Sequence, residues 1–451
     1  MKSIRLRNFK RCGVVVLFSA LCLVFGTTAT SFASGVPGQT HPAVGAAGQA
    51  RSARAFVPPD GMSMQTYRLM MAQMPLDAAA TRIQALAARP GPAHRGFFVT
   101  KVDASRHILT VYWHGRVPAN VRRVISELRA TVNVRVAQTR YSLAALNRDV
   151  LAAVHSGHGV LGGWPLTDGN GINLSVRTTN AGPAAAAMRA RFGVPAVITR
   201  VTKPGGVNRL LYCAVQNSNA NLGPGSRCND WENFWGGDVI QQQAYPGGSF
   251  CSGGFGVHNS GGGEYLLTAA HCADNGSGYV NGVAFHNGQD SRNWKFVGNI
   301  TDVPGPHDAA VIPTGTGAQY YDGPGIYNGD TTHTKFVAGQ QATSVGDSLC
   351  ESGAFGGVIC GFRVSQLNVT LPDPDYPSQT WTALALATQS SGNFPIPGDS
   401  GGPWFSLDGC CTHVWAKGTR RAAVTAGPRM AGRAVHPTSC ARTRRRAHRP
   451  R

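Results

Sequence analysis

The stretch of this chain with the most evident chemical potential is Gly398–Pro403, in which Ser400 stands among glycines. Small neighbours let a carbonyl carbon approach the hydroxyl closely, and they leave backbone N–H groups free to point at a developing oxyanion. These are the requirements of a serine nucleophile in acyl transfer. The alternative is a glycine-rich hairpin in which the serine only caps a turn, so the interpretation depends on partners for Ser400.

Two upstream stretches supply such partners. Tyr265–Cys272 is an apolar run that ends beside His271, which can act as a general base. Asp308 begins a second apolar run, where a carboxylate can be buried against an imidazole. Asp302 is the competing acid, but the residues that follow it, Val303–Pro306, indicate a turn. We therefore favour Asp308 as the carboxylate that orients the histidine.

The stretches around His271, Asp308 and Ser400, in this order along the chain, resemble those of the trypsin-like serine proteases. The resemblance implies an all-β catalytic domain of two antiparallel β-barrels, the chymotrypsin-like fold, with the serine on the second barrel. It also implies an oxyanion hole formed by the N–H groups of Gly398 and Ser400. Phe234–Ile240 resembles the opening strand of the bacterial members, of the streptogrisin and α-lytic type.

A second fold is compatible with the serine motif alone. Gly398–Gly402 also fits G-x-S-x-G, the nucleophile elbow of the α/β-hydrolases, which needs a helix after the serine and a later catalytic histidine. Gly401–Pro403 is a poor start for a helix, so we exclude this fold.

The chain has eleven cysteines. The resemblance implies that Cys251 pairs with Cys272, and that Cys350 pairs with Cys360. Cys213 and Cys228 could form a third pair near the start of the catalytic segment. The remaining cysteines are divided between the predicted signal peptide and the C-terminal end: Cys12, Cys22, Cys410, Cys411 and Cys440.

Residues 1–33 have the basic start, apolar centre and small residues of a secretory signal peptide, so we expect a secreted, extracellular protein without a membrane anchor after its removal. The net charge of +20 is unevenly divided. Residues 1–224 hold 26 Lys and Arg against 6 Asp and Glu, whereas residues 225–419 hold 6 against 16. Because opposite charges favour docking within one chain, we interpret the basic excess as serving an intramolecular partner and not a nucleic acid.

Residues 34–63 predict a flexible leader, and residues 64–205 predict an α+β pro-region. Its repeated strand–helix order resembles the pro-regions of the bacterial proteases, which implies a folding aid and inhibitor; a substrate-binding domain is the alternative. The pattern predicts helices and strands over Pro75–Ala88, His107–Trp113, Pro118–Ala130, Val132–Val136, Gly171–Val176 and the segment after Ser142.

Residues 225–419 predict the catalytic domain, with many short strands and glycine-rich turns such as Gly261–Gly263. Residues 420–451 contain ten arginines and no acidic residue, and we expect a low-complexity tail that cannot bury a barrel face. Such a tail is either a native basic extension or the product of a reading-frame error or decayed gene. The second origin, which we favour, predicts a chain that lacks its late strands.

The sequence therefore predicts a monomeric, secreted serine endopeptidase, made as a precursor, with peptides as substrates and its own pro-region as partner. It predicts no cofactor and no metal ion. The alternative is an inactive, protease-like binding protein with a defective C-terminal barrel.

Overall fold

A computed structural model describes residues 58–59, 62–177, 193–201, 234–243, 249–287, 295–303, 305–314, 333–376, 378–389, 395–409 and 413–421, with short pieces at 182, 186, 325–326 and 429–433. The predicted signal peptide, nearly all of the predicted leader and the Cys213–Cys228 pair lie outside these residues. The five remaining cysteines also lie outside them. In the part that is described, no helix has the length and apolar character needed to span a bilayer.

The N-terminal part contains both helices and strands, as the sequence predicts. Its elements are α1 (Met64–Ala87), α2 (Pro92–Gly96), β1 (Phe97–Asp103), β2 (Ile108–His114), α3 (Ala119–Leu128), β3 (Asn133–Thr139), α4 (Leu143–Val154), β4 (Val160–Pro165), β5 (Ile172–Arg177) and β6 (Ala196–Val201). Strands β1–β3 form one sheet with β2 in its centre. Ser142 caps α4, because its hydroxyl accepts a hydrogen bond from the N–H of Ala145 at 3.2 Å.

The first helix starts earlier than predicted. The sequence places Pro75 near the helix start, whereas α1 begins after Ser63, whose hydroxyl accepts a hydrogen bond from the N–H of Thr66 at 3.1 Å. Pro75 lies inside the helix, where it removes a backbone donor. Eight residues of α1 are buried, and this tertiary packing outweighs the local cost of the proline.

The C-terminal part consists mainly of short strands. They are β7 (Val239–Gln242), β8 (Phe250–Ser252), β9 (Gly256–His258), β10 (Glu264–Thr268), β11 (Ala284–Asn287), β12 (Lys295–Asn299), β13 (Ala310–Pro313), β14 (Gly325–Ile326), β15 (His333–Thr334), β16 (Phe336–Gln340), β17 (Ser348–Gly353), β18 (Gly357–Pro372), β19 (Thr380–Thr388), β20 (Pro403–Leu407), β21 (His413–Thr419) and β22 (Arg429–Arg433). The predicted glycine-rich hairpin joins β9 to β10, and Gly262 adopts a left-handed φ of 83° there.

These strands form separate sheets. One sheet has the order β12-β11-β7-β8, and another has the order β13-β10-β9. A larger sheet runs β16-β21-β20-β17-β18; β19 also pairs with β18, and β22 pairs with β19. Most of its pairs are antiparallel, but β16 and β21 run parallel. Among the described residues the sheets do not close into barrels, so the two antiparallel barrels remain a prediction.

The larger sheet continues into the N-terminal part. Thr370 of β18 pairs with Gly163 of β4, and β5 and β6 follow, so that one sheet contains ten strands from both parts. The side of α1 that carries Met70 packs against Phe405, Leu407 and Val414. The two parts therefore share both a sheet and a hydrophobic core.

Two disulfides are present in the described chain, Cys251–Cys272 and Cys350–Cys360. Both are pairings that the sequence resemblance implies. Each closes a short loop, which typically contributes about 3 kcal/mol to stability. The first ties β8 to the turn that follows β10, and the second joins β17 to β18.

The start of the predicted tail is part of the fold. Arg420 and Arg421 are 2% and 5% exposed, and the backbone of β22 pairs along β19. The sequence predicts that strands are lacking after Thr419, whereas the structure continues with β22. Strand pairing uses backbone N–H and C=O groups, which every residue other than proline offers, so a segment poor in apolar side chains can still add to a sheet.

Candidate active site

His271 lies in a short 3₁₀ turn, Ala270–Ala273, directly after β10. Its neighbours Ala270 and Cys272 are buried, and the disulfide from Cys272 holds the turn against β8. The His271 side chain is 18% exposed. The ring is therefore held by a fixed backbone and still faces a region that solvent reaches.

Asp308 lies beside this turn because β13, which starts two residues later, pairs with β10. The side chain is fully buried; its Oδ2 accepts a hydrogen bond from Nδ1 of His271 at 2.7 Å, and its Oδ1 accepts one from the His271 backbone N–H at 3.0 Å. Burial raises the pKa of Asp308, but the neighbouring His271 and Arg421 outweigh this effect and hold that pKa below its usual value. A carboxylate can only accept, so Nδ1 carries the proton and Nε2 is the basic nitrogen.

The competing acid, Asp302, takes no part in this contact. It adopts a left-handed backbone φ of 63° between β12 and β13. Both carboxylate oxygens that bond to His271 belong to Asp308.

Ser400 lies on the turn that leads into β20. Gly398 and Gly401 flank it with left-handed φ values of 93° and 89°, conformations that favour glycine. Ser252 of β8 connects this turn to the histidine: its N–H donates to the carbonyl of Ser400 at 2.7 Å, and its hydroxyl donates to the carbonyl of Gly398 at 2.9 Å. Since Cys251 is bonded to Cys272, one strand joins the turns of Ser400 and His271.

The hydroxyl of Ser400 forms no hydrogen bond with the imidazole of His271 among the described residues. Such contacts are often long in enzymes without substrate. The N–H groups of Gly398 and Ser400 donate to no other described residue, which is the state required of oxyanion-hole donors. The site thus offers a hydroxyl, an oriented imidazole and two backbone donors.

Asp399, which no sequence motif marks for a role, anchors this turn. The carboxylate is buried and accepts hydrogen bonds from the N–H groups of Phe355, Gly356 and Ile396 at 2.7–2.9 Å. The guanidinium of Arg420 lies 3.1 Å from its Oδ2. These contacts fix the residue that directly precedes Ser400. Its position between Gly398 and Ser400 was visible in the sequence, but its burial was not.

Two arginines complete the charged surroundings, and both were predicted to belong to a tail. Arg420 also lies 3.2 Å from Glu351, and burial, more than the nearby Asp399, raises the pKa of Glu351 to about 8. Arg421 lies 3.2 Å from Oδ2 of Asp308. No sequence motif marked either arginine as a partner of the site.

Cys251, His271 and Cys272 place three potential metal ligands within 4.8 Å of one another. The two cysteines are joined in a disulfide and offer no thiolate, so this group does not fit a metal ion.

No family model and no curated protein matches this chain. Among solved structures it is similar to Nocardiopsis protease (NAPase), with 23% identity and a TM-score of 0.33 over 45% of this chain and 93% of that chain. Thermobifida fusca protease A (25%, 0.33, 45% and 92%) and Cellulomonas bogoriensis chymotrypsin (25%, 0.32, 45% and 92%) are also similar. Because these TM-scores are low, we base the interpretation of the site on its geometry alone.

Proposed function

We propose that this chain is a secreted serine endopeptidase that hydrolyses peptide bonds through His271, Asp308 and Ser400. The observation that carries the proposal is the 2.7 Å hydrogen bond from Nδ1 of His271 to the buried Asp308. In the proposed reaction Ser400 attacks the scissile carbonyl, while Nε2 of His271 takes its proton and then gives it to the leaving amine. Asp308 keeps the imidazole in the required tautomer and stabilises the imidazolium.

The N–H groups of Gly398 and Ser400 are the proposed donors to the oxyanion. Loss of one such donor typically costs about 3 kcal/mol of transition-state stabilisation. The acyl-enzyme formed on Ser400 is then hydrolysed by water, with His271 acting as base a second time.

Residues 64–205 are proposed to be a pro-region that acts on the same chain as a folding partner. The support is direct contact: Gln73 of α1 donates to the carbonyl of Ser348 at 3.1 Å and accepts from its N–H at 2.7 Å. Strand β4 also pairs with β18. A monomer that cleaves peptides, with its pro-region as intramolecular partner, is the form that we propose.

A fluorophosphonate probe tests the nucleophile, because it reacts with a serine that is activated by a neighbouring base. We expect the full chain to be labelled and the Ser400→Ala chain to remain unlabelled. Ser406→Ala is a matched control, since Ser406 is buried in β20, and it should be labelled like wild type. Equal labelling of the wild-type and Ser400→Ala chains would contradict the assignment.

The alternative, an inactive protease-like binding protein, is favoured by one observation: Arg421 lies 3.2 Å from the carboxylate that should serve His271. The same labelling experiment separates the two functions. Absence of labelling in a folded wild-type chain would support the binding protein.

A further inference from the structure

Arg421 is a buried cation in direct contact with the carboxylate of the proposed active site. Its Nε lies 3.2 Å from Oδ2 of Asp308, and its NH2 lies 3.2 Å from Oδ2 of Asp373. The guanidinium carbon lies 5.5 Å from the ring centroid of Trp381, which is fully buried. Two ion pairs and a ring contact hold this side chain in place.

The same oxygen of Asp308 serves two partners. Oδ2 accepts the hydrogen bond from Nδ1 of His271 at 2.7 Å and also pairs with Arg421. In the proposed reaction His271 becomes positively charged, and the negative charge of Asp308 stabilises it. A second cation beside that oxygen neutralises part of the carboxylate's negative charge, and it also repels the forming imidazolium. Because the site is buried, solvent screens this repulsion only weakly.

Among the residues that the structure describes, other charged and titratable groups lie on two sides of this contact. On the arginine side they are Asp373, with Asp375 near it, and Tyr279, whose pKa burial and Asp373 raise, so that it is neutral. The carboxylate of Asp373 also accepts a hydrogen bond from the ring N–H of Trp381 at 2.7 Å. On the serine side they are Asp399 and Glu351, both of which pair with Arg420.

Given the proposed function, we infer that Arg421 is a positioning residue that restrains His271: it holds Asp308 in place and, by sharing its charge, limits how readily the imidazole takes a proton. Asp373 moderates this effect, because it competes with Asp308 for the same guanidinium. Arg421 thus sets the pH range in which His271 can activate Ser400.

The test measures the rate of fluorophosphonate labelling at Ser400 against pH in the full chain. Arg421→Gln removes the charge and keeps a side chain of similar length. Without the cation, the imidazole is protonated more readily, so the pH of half-maximal labelling should rise by about one unit. Arg421→Lys retains the charge and should keep the wild-type value.

A merely structural role for Arg421 would lower the labelling rate at all pH values without moving the half-maximal pH, and this result would overturn the inference. An Arg421→Lys profile shifted as far as that of Arg421→Gln would also overturn it. Asp373→Asn provides a second variant that does not alter the arginine. It leaves the guanidinium to Asp308 alone, and the half-maximal pH should then fall.

Circular dichroism of each variant establishes that it is folded before its profile is compared. Should Arg421→Gln not fold, the Asp373→Asn profile decides, and an unchanged half-maximal pH there overturns the inference. If wild type and all variants are labelled with the same dependence on pH, the role of Arg421 is overturned and the proposed function stays intact. Failure of every folded variant to be labelled at any pH would overturn the proposed function itself, and the inference with it.

Discussion

The hydrogen bond between His271 and Asp308 determines which ring nitrogen can act as a base. Asp308 accepts from Nδ1 at 2.7 Å, and its second oxygen accepts the backbone N–H of the same histidine. This pair of contacts fixes both the tautomer and the orientation of the ring. Asn at position 308 could keep the shape but would offer an amide N–H to Nδ1, which favours the opposite tautomer.

Asp308→Asn should therefore lower the rate of peptide hydrolysis by about 10⁴-fold, without unfolding the chain. The measurement is kcat/KM on a peptide substrate, with urea unfolding as a check of stability. Asp302→Asn is the matched control, because Asp302 makes no contact with His271, and its loss should stay below about tenfold. A larger loss in Asp302→Asn than in Asp308→Asn would move the role to Asp302.

At the scale of elements, helix α1 is joined to the C-terminal strands by a buried charge cluster. Nζ of Lys417, in β21, lies 2.7 Å from Oδ2 of Asp77 and 3.1 Å from Oδ2 of Asp347, and all three side chains are 0% exposed. One cation cannot neutralise two buried carboxylates. Burial, with a smaller contribution from Asp347, accordingly raises the pKa of Asp77 to about 8.

The raised pKa gives the cluster a definite pH dependence. The folded chain binds the Asp77 proton more tightly than the unfolded chain, whose pKa is 3.8. The stabilisation from this proton is therefore complete below that value and is lost as the pH rises through the folded pKa of about 8.

Asp77→Asn should remove this dependence, because Asn stays neutral and can still accept from Lys417. We expect the stability of wild type relative to Asp77→Asn to fall as the pH rises from about 4 to about 8. Urea unfolding in a Ser400→Ala background measures this difference without self-cleavage. Glu127→Gln, on the exposed face of α3, is the control and should show a smaller change. A constant difference between wild type and Asp77→Asn would contradict the protonation of Asp77.

At the scale of the whole molecule, the direct contacts do not follow the overall charge division. The N-terminal part is basic, but it contributes the acid Asp77, and the acidic C-terminal part contributes the base Lys417. Other contacts between the two parts join neutral groups, such as Gln84 with Thr343 at 3.2 Å and Thr100 with Ser344 at 2.7 Å. The overall charge can still steer association, whereas specific buried contacts hold the two parts together.

Truncation of the chain tests whether Arg420 and Arg421 are needed for folding. A chain that ends after Thr419 lacks Arg420 and Arg421 and leaves Asp308, Asp399 and Glu351 buried without a guanidinium. Breaking one buried pair costs about 3–5 kcal/mol, against a typical total stability of about 5–15 kcal/mol. We expect this chain not to be recovered as a soluble, folded protein.

A chain that ends after Arg433 is the matched control, since it keeps both arginines and β22. It should be secreted at a yield similar to that of the full chain. Equal recovery of both truncated chains would show that the two arginines are not needed for folding. It would then favour the sequence-based expectation that the fold ends at Thr419.

The sequence alone determined the features that depend on residues close together in the chain. The helix after Ser142, the hairpin at Gly261–Gly263 and several helices and strands of the N-terminal part follow from turn residues and hydrophobic periodicity. The proposed site residues His271, Asp308 and Ser400 can also be selected from the sequence, because a nucleophile, a base and an orienting acid each need a recognisable residue type in a recognisable setting.

Only the tertiary structure decided what each buried charge pairs with. Asp77 falls within the predicted helix Pro75–Ala88, and Arg421 within the predicted basic tail, yet both are buried beside opposite charges. Pairing of this kind depends on distances between residues that are far apart in the chain, and no local pattern encodes them. For the same reason α1 extends back to Met64 through Pro75: packing against distant strands outweighs the local preference of a proline to end a helix.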